Sequence, residues 1–416
     1  MAPQQKANFS CTSASTSIED MGTSTNKLTP FSKAPTAAST THAYTASRAA
    51  VAAAALSPPL PADEEDGQKG EILAGTHFIL EGPASGKLVV CVPGLGGPHW
   101  YFDEVAPFLL QAGFRVLRYD LVGRGHSKPP SRTRRPSCFC NGVAREKDPY
   151  GMVGHVAQLR RLLVNLDLVA KNNGDDRISS SACPQPDCDD TDLSEIDDEI
   201  LSPLPMSAIH LIGHSMGGAI AVGYADCYPE DVASLTLLTP AGLMDKDVFY
   251  LLRALPWFVQ SIVQHCLRRG VLNGIRNDFV RHGTEVENRA VAHARAMHER
   301  NPHAFPAIFR SILAFPFAGL ENTIRRLSGA RLPTLLVWAE YDRVLPFEPQ
   351  FGRWKALLKT GQNVRYEVVK EAGHGFLLEK PEVVGEMVVG FLKSLPTWVP
   401  EALINHLKSH PSTITI

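Results

Sequence analysis

Continuous apolar segments alternate with amphipathic ones along the chain after about residue 70. Leu88–Val92, of sequence LVVCV, is apolar at every position, which indicates a strand buried on both faces of a sheet. The predicted strands are Thr76–Leu80, Leu88–Val92, Arg115–Tyr119, Ala208–Ile212, Ser234–Leu238, Thr334–Trp338 and Val364–Val369. Helical patterns lie between several of them, at Tyr101–Ala112, Met152–Leu166, Met216–Cys227, Glu348–Lys359 and Pro381–Leu395. This alternation predicts an α/β fold with a mostly parallel sheet flanked by helices.

Two internal segments depart from the alternation. Residues 171–205 hold ten acidic and two basic residues, which predicts a solvated acidic loop. Residues 242–330 have helical patterns and fall between two predicted core strands, as expected of a helical lid inserted into the core. The core is therefore predicted to comprise residues 69–241 and 331–398.

The two ends of the chain are predicted to be tails. Residues 1–68 are rich in Ser, Thr and Ala and lack periodicity, so we expect disorder there, and residues 399–416 form a C-terminal tail. Before residue 60 the only acids are Glu19 and Asp20. This composition resembles an organelle transit peptide, although unstructured tails have it too. We expect a cytoplasmic protein, with an organelle as the alternative.

Charge and composition exclude several classes of partner. The formal net charge of the 416 residues is −2, with no long basic tract, so nucleic-acid binding has no electrostatic support. No apolar run reaches the roughly 18 residues of a transmembrane helix, which leaves peripheral membrane contact through the lid as an option. Neither Cys138 with Cys140 nor Cys183 with Cys188 has the spacing of a shared zinc site, and we expect no metal or cofactor.

The central chemical signal is Gly213-His-Ser215-Met-Gly217, between a predicted strand and a predicted helix. This G-x-S-x-G pattern in strand–turn–helix context is typical of a nucleophilic serine on a sharp turn. The turn places the amide of Met216 at a helix N-terminus, where the dipole favours negative charge. A chance Gly-Ser-Gly turn is the alternative interpretation of the pentapeptide alone.

A second glycine-rich loop follows the strand Leu88–Val92 and begins Pro93-Gly94-Leu95. The loop after this strand is where an oxyanion hole draws one of its two backbone amides. We therefore predict Leu95 and Met216 as the oxyanion donors. The glycines could instead serve only to turn the chain.

An acid and a histidine follow the last two predicted strands. Asp342 comes after Thr334–Trp338, and a carboxylate at the end of a strand is well placed to orient an imidazole. Glu340 and Asp245 are the rival acids. His374, between Gly373 and Gly375, is the predicted base, with His214 and His126 as alternatives.

These landmarks together resemble the α/β-hydrolase superfamily over roughly residues 72–396. The matching segments are Pro93-Gly94-Leu95, Asp120-Leu-Val-Gly123-Arg-Gly125-His-Ser127, Gly213-His-Ser215-Met-Gly217-Gly218, and Asp342 with Gly373-His374. The chain is similar to the esterase, monoacylglycerol-lipase and proline-iminopeptidase branches, and Ser215 separates it from the branches with an aspartate nucleophile. Pro93 stands where the family usually has histidine.

The resemblance and the residues together predict a serine hydrolase with Ser215 as nucleophile, His374 as base and Asp342 as orienting acid. The expected substrate is a small-molecule ester or lipid, cleaved through an acyl-enzyme. Trp257 and Phe258 in the aromatic lid are candidate pocket residues. The alternatives are an aminopeptidase of the proline-iminopeptidase type and a non-catalytic binding protein on the same fold.

Overall fold

The computed structural model describes seven parts of the chain, residues 70–130, 148–171, 208–244, 249–267, 270–330, 332–358 and 363–395. The N-terminal tail through residue 69, the acidic loop from residue 172 and the C-terminal tail lie outside the described residues. The four loop cysteines and Asp245 also lie outside them, so predictions on these segments stay predictions.

In these described parts, eight strands form one sheet in the order β1-β2-β4-β3-β5-β6-β7-β8. The first two pairs in this order are antiparallel and the remaining pairs are parallel. The strands are β1 Glu71–Leu73, β2 Thr76–Glu81, β3 Leu88–Val92, β4 Arg115–Tyr119, β5 Ile209–His214, β6 Val232–Leu238, β7 Thr334–Ala339 and β8 Val364–Val369. All seven predicted strands are present, and the predicted α/β fold with a mostly parallel sheet flanked by helices is confirmed.

Helices cover both faces of the sheet. Those of the core are α1 Ala106–Gln111, α2 Met152–Asn165, α3 Met216–Cys227, α10 Phe347–Leu358, α11 Phe376–Glu379 and α12 Pro381–Ser394. One apolar cluster packs β3, β5 and β7 against α2 and α3, and a second packs the opposite face against α1 and α12. Central strands such as β3 are buried at every position, which explains their continuous apolar sequence.

One helical prediction was wrong in extent. The segment predicted as a single helix, Tyr101–Ala112, contains the end of a short 3₁₀ helix, His99–Phe102, and then α1. Pro107 lies in the first turn of α1, where its missing amide hydrogen costs no hydrogen bond, so a new helix starts there.

Among the described residues between β6 and β7, six helices form the helical insertion, residues 249–330. They are α4 Tyr250–Ala254, α5 Trp257–Leu267, α6 Val271–Arg276, α7 Glu285–Arg300, α8 Ala304–Ala314 and α9 Glu321–Gly329. The last of them, α9, places Ile324 and Leu327 in the core cluster, and Arg326 pairs with Asp226 of α3. By contrast, α5 has no buried residue. Within the described parts of the chain, every helix is too short or too polar to cross a membrane.

The parallel strands end together, and this brings the predicted site residues to one edge. In the sheet register Val92 is level with Gly213, and Gly213 is level with Leu237. The loops after β3, β5, β7 and β8 therefore leave the sheet at its carboxyl edge, where α/β folds bind their ligands.

Candidate active site

Ser215 occupies a strained turn between β5 and α3. Its backbone has φ 55° and ψ −121°, a conformation that residues with a side chain rarely adopt. The Ser215 amide donates to the carbonyl of Leu238 at 3.0 Å, and its own carbonyl accepts from Gly218 at 3.0 Å and Ala241 at 2.9 Å. These hydrogen bonds to β6 and α3 hold the turn in place.

The glycines of the Ser215 turn are required by close backbone approaches. A Cβ atom at Gly213 would come closer than 3.0 Å to the carbonyl oxygen of Gly217, and a Cβ atom at Gly217 would come closer than 3.0 Å to the carbonyl oxygen of Val92. The opposing atoms are backbone and cannot swing away. The G-x-S-x-G pattern is therefore imposed by the packing of α3 against the ends of β5 and β3.

The loop after β3 lies directly against the Ser215 turn. A Cβ atom at Gly94 would be 3.2 Å from Cβ of Ser215 and 3.3 Å from Nδ1 of His214. Leu95 follows in the same loop and packs partly buried on the core. Met216 is buried and is the first residue of α3. Both predicted oxyanion donors thus lie in segments that flank Ser215, and their role stays a prediction.

The structure brings Asp342 and His374 together. Nδ1 of His374 donates to Oδ2 of Asp342 at 2.7 Å, and both side chains are buried. The other oxygen, Oδ1 of Asp342, accepts from the amides of Val344 at 2.8 Å and Leu345 at 2.7 Å. These hydrogen bonds fix the carboxylate, which in turn fixes the tautomer of the ring and leaves Nε2 of His374 as the acceptor.

The rival acid Glu340 and the alternative base His126 are hydrogen-bonded to other groups. Glu340 accepts from Nζ of Lys370 at 2.9 Å and from the amide of Glu371 at 3.1 Å, on the exposed side of the loop. The amide of His126 donates to the carboxylate of Asp120 at 2.9 Å, at the end of β4. Glu340 is thus engaged away from His374.

His214 contacts the candidate base without replacing it. Nε2 of His214 donates to the carbonyl of His374 at 3.0 Å, and the two rings lie 4.7 Å apart. Burial and the charge of His374 lower the pKa of His214 well below its usual value, so the ring stays neutral. Sequence reasoning treated His214 only as a rival base, because nothing in the sequence indicates this contact.

The pKa of His374 is raised above its usual value. Burial lowers it, but the charge of Asp342, the hydrogen bond that His374 donates to Asp342 and the charge of Asp278 together outweigh burial. Asp278 belongs to the helical insertion and was not singled out in the sequence. A base with a raised pKa accepts a proton readily, as a general base must.

His77, His99 and Asp120 are the described residues that could share a metal ion, since their ligand atoms lie within 4.8 Å of one another. Asp120 already accepts from Nδ1 of both rings at 2.9 Å and from the amides of His99 and His126 at 2.8 and 2.9 Å. These hydrogen bonds hold the pKa of Asp120 well below its usual value in spite of burial. Through these donors the carboxylate joins His77 of β2, His99 in the loop after β3 and His126 in the turn after β4.

The two candidate pocket residues lie on the surface of the helical insertion. Trp257 is 62 % exposed and Phe258 is 53 % exposed, and their rings contact each other edge to face at 6.1 Å. Both stand in the first turn of α5. A role in lining a substrate pocket stays a prediction.

Comparisons with known proteins agree with this architecture. A family model described as alpha/beta hydrolase fold matches residues 87–381. The chain is 26 % identical over 289 residues to the dihydrolipoyllysine-residue acetyltransferase component of the acetoin cleaving system of Pseudomonas putida, covering 67 % of this chain and 66 % of that protein. It is 25 % identical over 191 residues to monoacylglycerol lipase ABHD6 of Homo sapiens, covering 41 % and 51 %. The chain thus spans about two thirds of the length of the first relative and about half of the length of the second.

Solved structures share the fold. The esterase EaEST from Exiguobacterium antarcticum has a TM-score of 0.52 at 20 % identity, covering 78 % of this chain and 98 % of that chain. The bromoperoxidase from Bacillus anthracis has a TM-score of 0.52 at 18 % identity, covering 77 % and 95 %. At such identities the likeness concerns the fold alone. Because the family model spans well over half of its length, this chain belongs to the alpha/beta hydrolase fold family.

Proposed function

We propose that the chain is a serine hydrolase that cleaves carboxylic esters, with Ser215 as its nucleophile. The observation that carries the proposal is the 2.7 Å hydrogen bond between His374 and Asp342, at the same sheet edge as the strained Ser215 turn. His214, next to Ser215, donates a hydrogen bond to the backbone of His374 and so joins the Ser215 turn to the loop that carries His374. Esterases and lipases among the similar proteins support hydrolysis of esters as the reaction.

The mechanism uses Nε2 of His374, the ring nitrogen on the other side from the hydrogen bond to Asp342. Nε2 of His374 takes the proton of Ser215 as Oγ attacks the ester carbonyl carbon, and Asp342 stabilises the resulting imidazolium. The imidazolium then protonates the leaving alcohol, which departs as the acyl-enzyme forms. A water molecule deprotonated by His374 attacks the acyl group and releases the carboxylic acid, which restores the hydroxyl of Ser215.

The negative charge of the tetrahedral intermediate is stabilised by backbone amides. Those of Leu95 and Met216 are the proposed donors, because Leu95 follows Gly94, where an added Cβ would meet Ser215, and Met216 begins α3. The N-terminal end of α3 adds a favourable dipole. Removing one such donor typically costs about 3 kcal/mol of transition-state stabilisation.

The proposal is tested by labelling with a fluorophosphonate. The wild-type chain should be labelled once, on Ser215, and Ser215→Ala should lose both labelling and nearly all ester hydrolysis while keeping its circular dichroism spectrum. A panel of esters with aminoacyl amides alongside separates an esterase from a peptidase. Labelling that persists in Ser215→Ala would refute Ser215 as the nucleophile.

We further propose lipid-like esters as substrates, reached at a membrane surface. Large apolar side chains of α4 and α5 are exposed, namely Leu251 78 %, Trp257 62 %, Phe258 53 %, Ile262 61 % and Leu267 46 %. From Phe249 to Asn277 the sequence contains four arginines and no acid. An exposed apolar helix face in a basic segment fits the interface of an anionic bilayer.

Membrane contact is tested by sedimentation with vesicles of phosphatidylcholine and phosphatidylserine. The double variant Trp257→Ala/Phe258→Ala should bind the vesicles several-fold more weakly than the wild type. Val383→Ala, at an apolar position of α12 that is 45 % exposed, is the matched control and should bind as the wild type does. Equal binding by the double variant and the control would contradict contact through α5.

A further inference from the structure

Part of the helical insertion lies against the loop that carries His374 (the histidine loop). The amide of Gly375 donates to the carbonyl oxygen of Asp278 at 2.8 Å. A Cβ atom at Gly373 would come closer than 3.0 Å to that same oxygen, and a Cβ at Gly375 would lie 3.3 Å from it. The glycines on both sides of His374 therefore leave room for the backbone of Asp278.

The carboxylate of Glu379 accepts hydrogen bonds both from the segment around Asp278 and from the histidine loop. Oε1 of Glu379, in α11, accepts from the amide of Val280 at 2.8 Å, and Oε2 accepts from the amide of Gly373 at 2.7 Å. Hydrogen bonds to a charged acceptor are stronger than neutral ones. The position of residues 278–280 and that of the loop before His374 are thus held together.

The side chain of Asp278 is linked to His374 through Tyr101 and His214. Oη of Tyr101 donates to Oδ2 of Asp278 at 3.3 Å, and the ring of Tyr101 stacks on that of His214 at 5.1 Å. The ring of His214 lies 4.7 Å from that of His374. The ionisable groups that face Asp278 and His374 from the packed elements are Tyr101, His214, Asp342 and Glu379.

Asp278 and Asp342 act on His374 in the same direction. Both carboxylates raise the pKa of His374, against the effect of burial. Burial raises the pKa of Asp278 to about 6, with the charge of His374 and the hydrogen bond from Tyr101 acting in the opposite sense. Above about pH 6 Asp278 is therefore mostly ionised and can stabilise a positive ring.

We propose that Asp278 is a positioning residue that presents a second carboxylate to His374 from the helical insertion. Asp342 orients the ring through a direct hydrogen bond, whereas Asp278 stabilises, through space, the imidazolium that forms when Ser215 loses its proton. Because residues 278–280 are bonded to the histidine loop, this second charge is in place only when the insertion is seated on the core. The inference rests on the proposed function.

The decisive variant is Asp278→Asn, which removes the charge and keeps the size of the side chain. Loss of one carboxylate should lower the pKa of His374, so the acid limb of kcat/KM should move to lower pH by about half to one unit. Stabilisation of the imidazolium in the transition state is also lost, and kcat should fall about three- to tenfold. KM should change little, since Asp278 acts on the base.

Glu285→Gln is the matched control, because it removes an exposed carboxylate from the same insertion without facing His374. Its pH profile should equal that of the wild type. Tyr101→Phe is a second test, since loss of its hydrogen bond raises the pKa of Asp278 and leaves less of it ionised near neutral pH. The acid limb should therefore shift in the same direction as in Asp278→Asn, by a smaller amount.

A readout independent of turnover is the titration of His374 by NMR with ¹³Cε1-labelled histidine, its signal assigned with His374→Asn. The pKa of His374 should be lower in Asp278→Asn than in the wild type and unchanged in Glu285→Gln. An unchanged pKa in Asp278→Asn overturns the inference. A wild-type chain that hydrolyses no ester refutes the proposed function instead, and the titration still decides whether Asp278 acts on His374. Should Asp278→Asn fail to fold, the Tyr101→Phe titration takes its place, and an unchanged pKa there counts equally against the inference.

Discussion

The imidazole of His214 holds the backbone of His374 through a 3.0 Å hydrogen bond from its Nε2 to the carbonyl oxygen. His214 immediately precedes Ser215, so the residue beside the proposed nucleophile positions the loop of the proposed base. The ring is also stacked on Tyr101 at 5.1 Å, which fixes its plane. Two loops distant in sequence are thereby kept in one relative position.

Replacement of His214 by phenylalanine should lower kcat about tenfold and the free energy of unfolding by about 1 kcal/mol, the net worth of one hydrogen bond. The phenyl ring preserves stacking on Tyr101 but cannot donate to His374. Steady-state kinetics and urea denaturation measure the two effects. Full kcat in His214→Phe would mean that the hydrogen bond does not position the base.

Asp342→Asn should reduce kcat by about 10³- to 10⁴-fold, because an amide cannot hold the required tautomer of His374. Glu340→Gln is the matched control, an acid two residues earlier that pairs with Lys370. It should retain kcat within a few-fold. Similar losses in the two variants would contradict the assignment of Asp342 as the orienting acid.

Activity should fall on acidification, because protonated His374 cannot accept the proton of Ser215. The pKa of His374 is raised above the usual histidine value of about 6.5. The unprotonated ring should therefore be lost at a higher pH than in an ordinary histidine. The measurement is kcat/KM across the acid and neutral range with a substrate that does not ionise. A profile that is flat between roughly pH 5 and 8 would argue against a histidine base.

Asp120→Asn should lower the free energy of unfolding by about 3 kcal/mol, since the buried carboxylate accepts four N–H donors and an amide oxygen cannot replace it. Chemical denaturation provides the measurement. Arg365→Gln, which removes one partner of an exposed ion pair with Glu367, is a control and should change stability by less than about 1 kcal/mol. Added zinc should not change the unfolding midpoint if the cluster is structural.

A lipid-like substrate should make kcat/KM rise several-fold for every two carbons of acyl chain, since each buried methylene contributes about 0.8 kcal/mol, until the pocket is full. Trp257→Ala or Phe258→Ala should flatten that rise if these side chains line the acyl site. The series is measured with esters that share one alcohol. Highest activity on acetyl esters, falling steadily with chain length, would exclude the lipid-like interpretation.

Local patterns were sufficient to predict the sheet and the Ser215 turn. Continuous apolar runs such as Leu88–Val92 and glycine-bounded Ser215 reflect interactions among neighbours in the chain, so they can be recognised without tertiary contacts. The short edge strand Glu71–Leu73 was missed, because it is largely exposed and carries little apolar pattern. The positions of Ser215, Asp342 and His374 after strands were likewise predictable, whereas their catalytic roles stay predictions.

The sequence alone determined which residues follow the ends of the parallel strands, since apolar periodicity and glycine spacing are local properties. Only the tertiary structure decided that Asp342 rather than Glu340 turns towards His374, although both acids follow the same strand. It alone also placed Asp278 and Glu379 at the histidine loop, through contacts between segments about a hundred residues apart. Such contacts depend on how the helical insertion packs on the sheet edge, and that packing arises from many weak long-range interactions that no local pattern encodes.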